Sequence, residues 1–324
     1  MAAEPRPEPG ARARGRARRI AVTGATGLVG TALVRALRDG GAAVARIGRR
    51  TPAPGSGDVQ WDPERGRLDP AAMAGVDAIV HLAGERIDGG RWTAVRRARI
   101  RDSRVRGTRL VAETAARLDP PPRVLVTASA IGYYGDRGAE LLTEASPPGA
   151  GFLADVCRAW EAAAEPAVAA GIRVVSLRIG LILAGHGGAL PRIARVFRLG
   201  AGGVVGSGEQ YVSWIGLEDL VRAIACVLDA EALAGPVNAV APAPVTNREF
   251  TRALGRVLGR PTPLPLPAWA VRLLLGEMGE RLLLDSARVL PRRLEAAGFR
   301  FHHPDLDGAL RAALGRPPAV RGGP

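Results

Sequence analysis

A strand-length apolar run, "RIAVTG", ends in glycines spaced as Gly24, Gly27 and Gly30, and from Gly27 onward the apolar residues of "LVGTALVRAL" recur at helical spacing. A strand, a glycine turn and a helix in that order constrain the fold more than any other stretch of the chain. Glycines let the chain turn sharply, let backbone approach a diphosphate, and let the helix pack closely on its strand. The helix start then offers amide hydrogens and the positive end of its dipole to an anion.

The alternation continues. "AAVARIG", "DAIVHLAG", "RVLVTASA" and "IRVVSLRIG" have strand length and are bounded by Gly, Pro or Asp. "WTAVRRARIRDSRVRGTRLVAETAARL" and "FLADVCRAWEAAAEPAVAAG" have helix length. Strands alternating with helices in this way predict an α/β fold, a Rossmann-like doubly wound parallel sheet that binds a dinucleotide at the first glycine turn. After about Gly185 come Gly-rich loops ("GHGGAL", "GAGGVVGSGEQ") and a mainly helical segment punctuated by "GRPTPLPLPAW". The predicted organisation is a basic tail over 1–17 and a Rossmann-like domain over 18–240 with substrate-lobe insertions after 185. A small, mainly helical C-terminal lobe over 241–315 and a closing tail over 316–324 complete it.

Composition excludes several function classes. All 45 basic residues of the Lys+Arg total are arginine. With no lysine anywhere, chemistry that needs an amine side chain is excluded. Much of the net charge of +14 lies in "RPEPGARARGRARR" and "GRPPAVRGG" and not on one periodic face, so no nucleic-acid partner is expected. Cys157 and Cys226 form neither a CxxC nor a Cys/His cluster. Neither a disulfide framework nor a metal site is expected, and a reducing, cytoplasmic compartment fits. The best apolar run, "PAWAVRLLLGEM", is short and contains Arg272, so no membrane crossing is expected.

An NAD site places a carboxylate after the second strand for the ribose hydroxyls, whereas "AAVARIGRRTPAPG" has Arg49 and Arg50 there and no acid. Arginine suits a 2′-phosphate, so the expected cofactor is NADP(H).

The G-x-x-G-x-x-G spacing after "VT", followed in order by "VQWDP", "VDAIVHLAG", "RGT" and "VTASAIGYYG", resembles the extended short-chain dehydrogenase/reductases, the nucleotide-sugar epimerase-like superfamily. With "GERIDGGRWTAVRRARIRDSRVRGT", "VCRAWE", "RIGLILAGHGGAL", "GSGEQYVSWIGLEDL", "NAVAPAPVTNREF" and "GFRFHHPDL", the chain is similar over about 18–315 to the atypical "epimerase family" subgroup. Members of that subgroup carry a C-terminal domain of unknown function. The resemblance implies that Gly24, Thr26, Gly27, Leu28 and Val29, with Gly30 behind them, line the phosphates. It also implies that Arg49, beside Arg50, meets the 2′-phosphate, that Asp62 borders the adenine, and that Leu82, Ala83 and Gly84 pass under the cofactor. Ser129 and Tyr133 or Tyr134 lie near the nicotinamide in this reading.

The chain departs from the chemistry of that family. Short-chain dehydrogenases commonly use a Tyr-x-x-x-Lys pair, in which the tyrosine moves a proton and the lysine lowers its pKa while holding the ribose. In "GFLADVCRAWEAAAEP", aligning Glu161 with the acid that often follows the pair puts Leu153 at the tyrosine position and Cys157 at the lysine position. The assisting Ser/Thr position falls on Ala130 if Tyr134 is the reference and on Ser129 if Tyr133 is. Arg104 stands where an asparagine commonly precedes "xxGT".

The remaining candidates are Ser129 for a substrate carbonyl, Tyr133 or Tyr134 as a weak acid, and Arg158 for a ribose or phosphate. Cys157 is expected as a small buried residue, His81 as a core histidine, and His302 and His303 in solvent. His186, Glu85, Arg86 and Trp92 are expected on loops facing the crevice. The expected function is an NADP(H)-dependent oxidoreductase or epimerase-like enzyme with an atypical active site and an unidentified small-molecule substrate. A non-catalytic NADP(H)-binding sensor or scaffold is the alternative. Arg109 and its neighbours suit either a homodimer interface or solvent.

Overall fold

The structure, a computed structural model, describes residues 17–317, so the two expected tails lie outside the described residues except for Ala17, Arg316 and Pro317. The main sheet holds β1 (Arg19–Thr23), β2 (Ala43–Gly48), β3 (Val59–Asp62), β4 (Arg67–Leu68), β5 (Ala78–His81), β6 (Val124–Ala130), β7 (Arg173–Ile179) and β8 (Gly235–Ala239). Their order is β8-β7-β6-β5-β1-β2-β3-β4, parallel throughout except for the antiparallel β3/β4 hairpin. Strand order reverses between β1 and β5, and in open sheets of this kind the ligand crevice lies outside the carboxyl ends at that reversal.

Strand alternation divides the core in two. Ile20 and Val22 of β1 join Val80 and Val126 beneath α1 (Leu28–Asp39), while Ala21 joins Ile79 and Leu125 beneath α2 (Ala94–Ala116). Thr93 caps α2, its hydroxyl accepting the Arg96 N–H. The stretch read as one helix after Gly151 is two, α3 (Phe152–Ala162) and α4 (Glu165–Ala169). Pro166 has no N–H to continue α3 and fits the first turn of α4. Beyond β7 come α5 (Leu190–Arg198) and α6 (Leu217–Asp229), the latter packed beside α1.

The late helices are α7 (Asn247–Leu258), α8 (Ala268–Gly279), α9 (Arg292–Ala296) and α10 (Leu306–Ala313). Phe250, Leu254 and Leu310 close on Phe197 and Trp214 in a core of their own. The "GFRFHHPDL" segment is tied back to α6 because the buried Asp219 carboxylate accepts the His302 and His303 N–H groups. The two imidazoles, expected in solvent, meet Glu218 there.

His81 is the core histidine expected. Thr23 Oγ1 accepts the Leu82 and Ala83 N–H groups, so its own proton goes to His81 Nδ1 at 2.8 Å. Nε2 therefore carries the ring hydrogen. It has no protein acceptor among the described residues and sits in an imidazole set edge-to-face with Trp61. Burial lowers the His81 pKa to about 4. An unfolded imidazole takes up its proton near pH 6.5 while the folded one stays neutral, so stability present above pH 6.5 falls as pH drops toward 4, by about 3 kcal/mol in all. Long-range ¹H–¹⁵N NMR is expected to show one histidine neutral, in the Nε2–H tautomer, down to about pH 4. A His81 ring titrating near pH 6.5 contradicts this.

Candidate dinucleotide crevice

The glycine turn lies at the β1/β5 reversal, packed against the end of β5. Gly24 has φ +64°, and a Cβ there would lie 2.9 Å from the Ala83 nitrogen. A Cβ on Gly30 would lie 2.1 Å from the Gly24 carbonyl oxygen. No side chain caps the start of α1 at Gly27 and no acid occupies its first turn, leaving the field of the helix end open to an anion. Thr26, Leu28 and Val29 line this turn in sequence, and Leu82, Ala83 and Gly84 follow β5 directly.

Arg49 and Arg50 follow β2 at the same edge of the sheet. Both are exposed, and neither has a carboxylate within ion-pair distance among the described residues. Arg46 differs, being held by Asp58 at 2.5 Å. Asp62 ends β3, where its carboxylate accepts the Glu64 and Arg65 N–H groups and shapes the turn into β4.

On the other side of the crevice the candidate hydroxyls separate. Ser129 and Arg178 are register partners on β6 and β7, and Glu161 of α3 bridges them. Ser129 Oγ donates to Glu161 Oε1 at 2.7 Å, and Arg178 grips both Glu161 oxygens at 2.9 Å through Nε and Nη2. Burial opposes the charge on Arg178, but the Glu161 carboxylate and the Tyr134 hydroxyl raise its pKa above the ordinary guanidinium value. Arg178 Nη1 donates to Tyr134 Oη at 3.0 Å, and Tyr134 Oη donates to Asn238 Oδ1 at 2.7 Å. Burial lifts the Tyr134 phenol above its usual pKa despite Arg178.

Ser129 is 3 % exposed and Tyr134 0 %, with both hydroxyls engaged in this network. Both hydroxyls are thus taken up by protein partners. Tyr133 is half-buried, its ring stacked 3.4 Å from the Arg178 guanidinium carbon, and its hydroxyl has no partner among the described residues.

Arg158 stands apart from this network. One residue turns a helix by about 100°, which carries Arg158 off the face of Cys157 and into an exposed pair with Asp155. Cys157 is buried as expected. Burial, aided by the Glu161 charge, pushes its thiol up to about 11. Trp92 is buried against Phe152, and its indole N–H donates to the Ile87 carbonyl within the loop after β5. Glu85, Arg86 and His186 stay exposed.

The Glu161–Arg178 pair was missed in the sequence. Its signal was an arginine inside the apolar run "IRVVSLRIG", since a charge on a buried strand needs a partner. Among the described residues no group of histidines, cysteines and acids could hold a metal ion, and no helix is long and apolar enough to cross a membrane.

Comparison with known proteins covers both parts of the chain. Residues 20–239 match the NAD dependent epimerase/dehydratase family and residues 266–313 a domain of unknown function, DUF1731. "Epimerase family protein Mb2239" of Mycobacterium bovis is 46% identical over 298 residues, 92% of this chain and 98% of that protein. The crystal structure of human epimerase family protein SDR39U1 with NADPH superposes with a TM-score of 0.82 at 33% identity, covering 92% of this chain and 99% of that one. A nucleoside-diphosphate sugar epimerase from Corynebacterium glutamicum superposes with a TM-score of 0.77 at 37% identity, covering 93% of this chain and 59% of that one. A glycine turn at the strand reversal, in a chain that its relatives match over about nine-tenths of its length, leaves one assignment: the protein belongs to the NAD dependent epimerase/dehydratase family.

Proposed function

We propose that the protein is an NADP(H)-dependent oxidoreductase or epimerase-like enzyme acting on a small molecule. The observation that carries the cofactor choice is the pair Arg49 and Arg50 after β2, without carboxylate partners and with no acid beside them. Bound NADP(H) supplies or accepts the hydride at its nicotinamide ring. Gly24, Thr26, Gly27, Leu28, Val29 and Gly30 hold the diphosphate, Arg49 and Arg50 the 2′-phosphate, and Asp62 the adenine edge. Leu82, Ala83 and Gly84 form the floor. Tyr133 presents its free hydroxyl to the ligand, while Ser129, Glu161 and Tyr134 position Arg178 beneath it. The solved NADPH complex of the human relative supports the cofactor assignment.

The test is a fluorescence titration with NADPH and NADH. A charge-assisted hydrogen bond contributes about 1.5–3 kcal/mol, roughly a 10–100-fold change in affinity. Arg49→Ala with Arg50→Ala is expected to weaken NADPH by that factor and to leave NADH unchanged. Equal affinity of the native protein for the two cofactors sinks the 2′-phosphate assignment.

One observation favours the non-catalytic reading, a sensor that binds NADP(H). Two of the three candidate hydroxyls are closed in the Glu161–Arg178 network. That reading predicts tight NADPH binding with no hydride transfer to any metabolite.

A further inference from the structure

Arg104, on α2, carries a half-buried guanidinium with no carboxylate within ion-pair distance among the described residues. Its Nη1 donates to the Glu85 and Ile100 carbonyls at 2.9 and 3.0 Å. The Glu85 carboxylate faces Arg96 instead, at 4.0 Å. The N–H groups on Nε and Nη2 have no protein acceptor among the described residues, and neither atom is sealed from solvent. Burial lowers the Arg104 pKa, with the Cys157 thiol and Glu85 opposing that shift. A half-buried cation with no carboxylate partner keeps donors available to an anion or a hydroxyl.

Its surroundings place the unused donors. The guanidinium lies 4.9 Å from the Trp160 ring and directly behind Gly84, where a Cβ would sit 3.5 Å from the Arg104 Cζ. Gly84 follows β5, on the far side of the strand reversal from β2 and its arginines. A dinucleotide lying across that reversal has its adenosine half over β2 and its other half beyond β5. Cys157, at the α3 position that a lysine would fill, is near enough to act on the Arg104 charge.

We infer that Arg104 is the cation that holds the nicotinamide half of the cofactor, its free N–H groups donating to the ribose hydroxyls in a chain that has no lysine to do so. The guanidinium is always charged, so it binds and orients but does not exchange a proton. The inference rests on the NADP(H) reading above.

The two halves of the cofactor can be titrated separately. NADPH reports both, and adenosine 2′,5′-bisphosphate reports the adenosine half alone. Arg104→Met is expected to weaken NADPH tenfold or more, roughly one charged hydrogen bond, and to leave adenosine 2′,5′-bisphosphate within about twofold. Arg104→Lys is expected to recover part of the loss. Arg104→Gln, which keeps an N–H for the Glu85 carbonyl, repeats the comparison in a variant less disturbing to the packing on Trp160.

Unchanged NADPH affinity overturns the inference. Equal weakening of both ligands also overturns it, because Arg104 would then support the loop and not the nicotinamide half. If the native protein binds neither ligand, the cofactor reading itself fails and this inference with it.

Discussion

Arg178→Met is expected to lower the unfolding free energy by about 3–5 kcal/mol, the cost of leaving one partner of a buried ion pair uncompensated. The side chains of Arg178 and Glu161 are 3% and 16% exposed, so water screens the pair little. The loss also frees Tyr134 Oη from its donor and removes the cation under the Tyr133 ring. Glu161→Leu alone leaves Arg178 as the orphan and costs a similar amount. The double variant Arg178→Met with Glu161→Leu is expected to recover part of the stability, because no charge then remains unpaired. Urea unfolding of the four proteins measures this coupling. Single-variant losses below about 1 kcal/mol would show that water screens the pair as at a surface.

Gly30→Ala is expected to abolish NADPH binding and to destabilise the fold. Inside a helix, alanine in place of glycine gains about 1 kcal/mol. Here the added Cβ would lie 2.1 Å from the Gly24 oxygen and 2.8 Å from the Ala25 Cα, both in the backbone of the phosphate turn. Strain of this kind costs about 1–3 kcal/mol, and relieving it displaces the turn whose amides the diphosphate needs. The clash outweighs the helix gain. Thermal unfolding and an NADPH titration on one preparation check both effects, and a more stable variant that still binds NADPH would contradict the packing described.

Most of the doubly wound sheet was legible because its signals are local. Apolar runs such as "DAIVHLAG" and "RVLVTASA" carry their own boundaries, and the glycines of "AVTGATGLVG" mark a turn whose close contacts occur within a few residues. The strand Gly235–Ala239 escaped notice because "GPVNA" is short and punctuated, and its partner, β7, is more than fifty residues away in sequence. The catalytic side of the crevice was less legible for a related reason. Sequence places Ser129, Tyr133 and Tyr134 together, but only the meeting of β6, β7 and α3 decides which hydroxyls are occupied. Adjacent tyrosines thus have opposite fates. Tyr134 turns inward to Asn238 and Tyr133 keeps its hydroxyl free. Sequence marks Arg104 only as a departure from an asparagine, and its lack of a carboxylate partner became visible only when the carboxylates around it were located.

The central claim, that the crevice carries out hydride chemistry, is tested most directly by tracing the hydride. The purified protein is incubated with NADPH deuterated at nicotinamide C4 and a small-molecule metabolite extract, and products are read by mass spectrometry. The account predicts a metabolite that gains one deuteron as labelled NADPH becomes NADP⁺. Tight NADPH binding with all label retained on the cofactor, and with no metabolite epimerised on incubation with NADP⁺, would contradict it and leave a protein that binds the dinucleotide without using it.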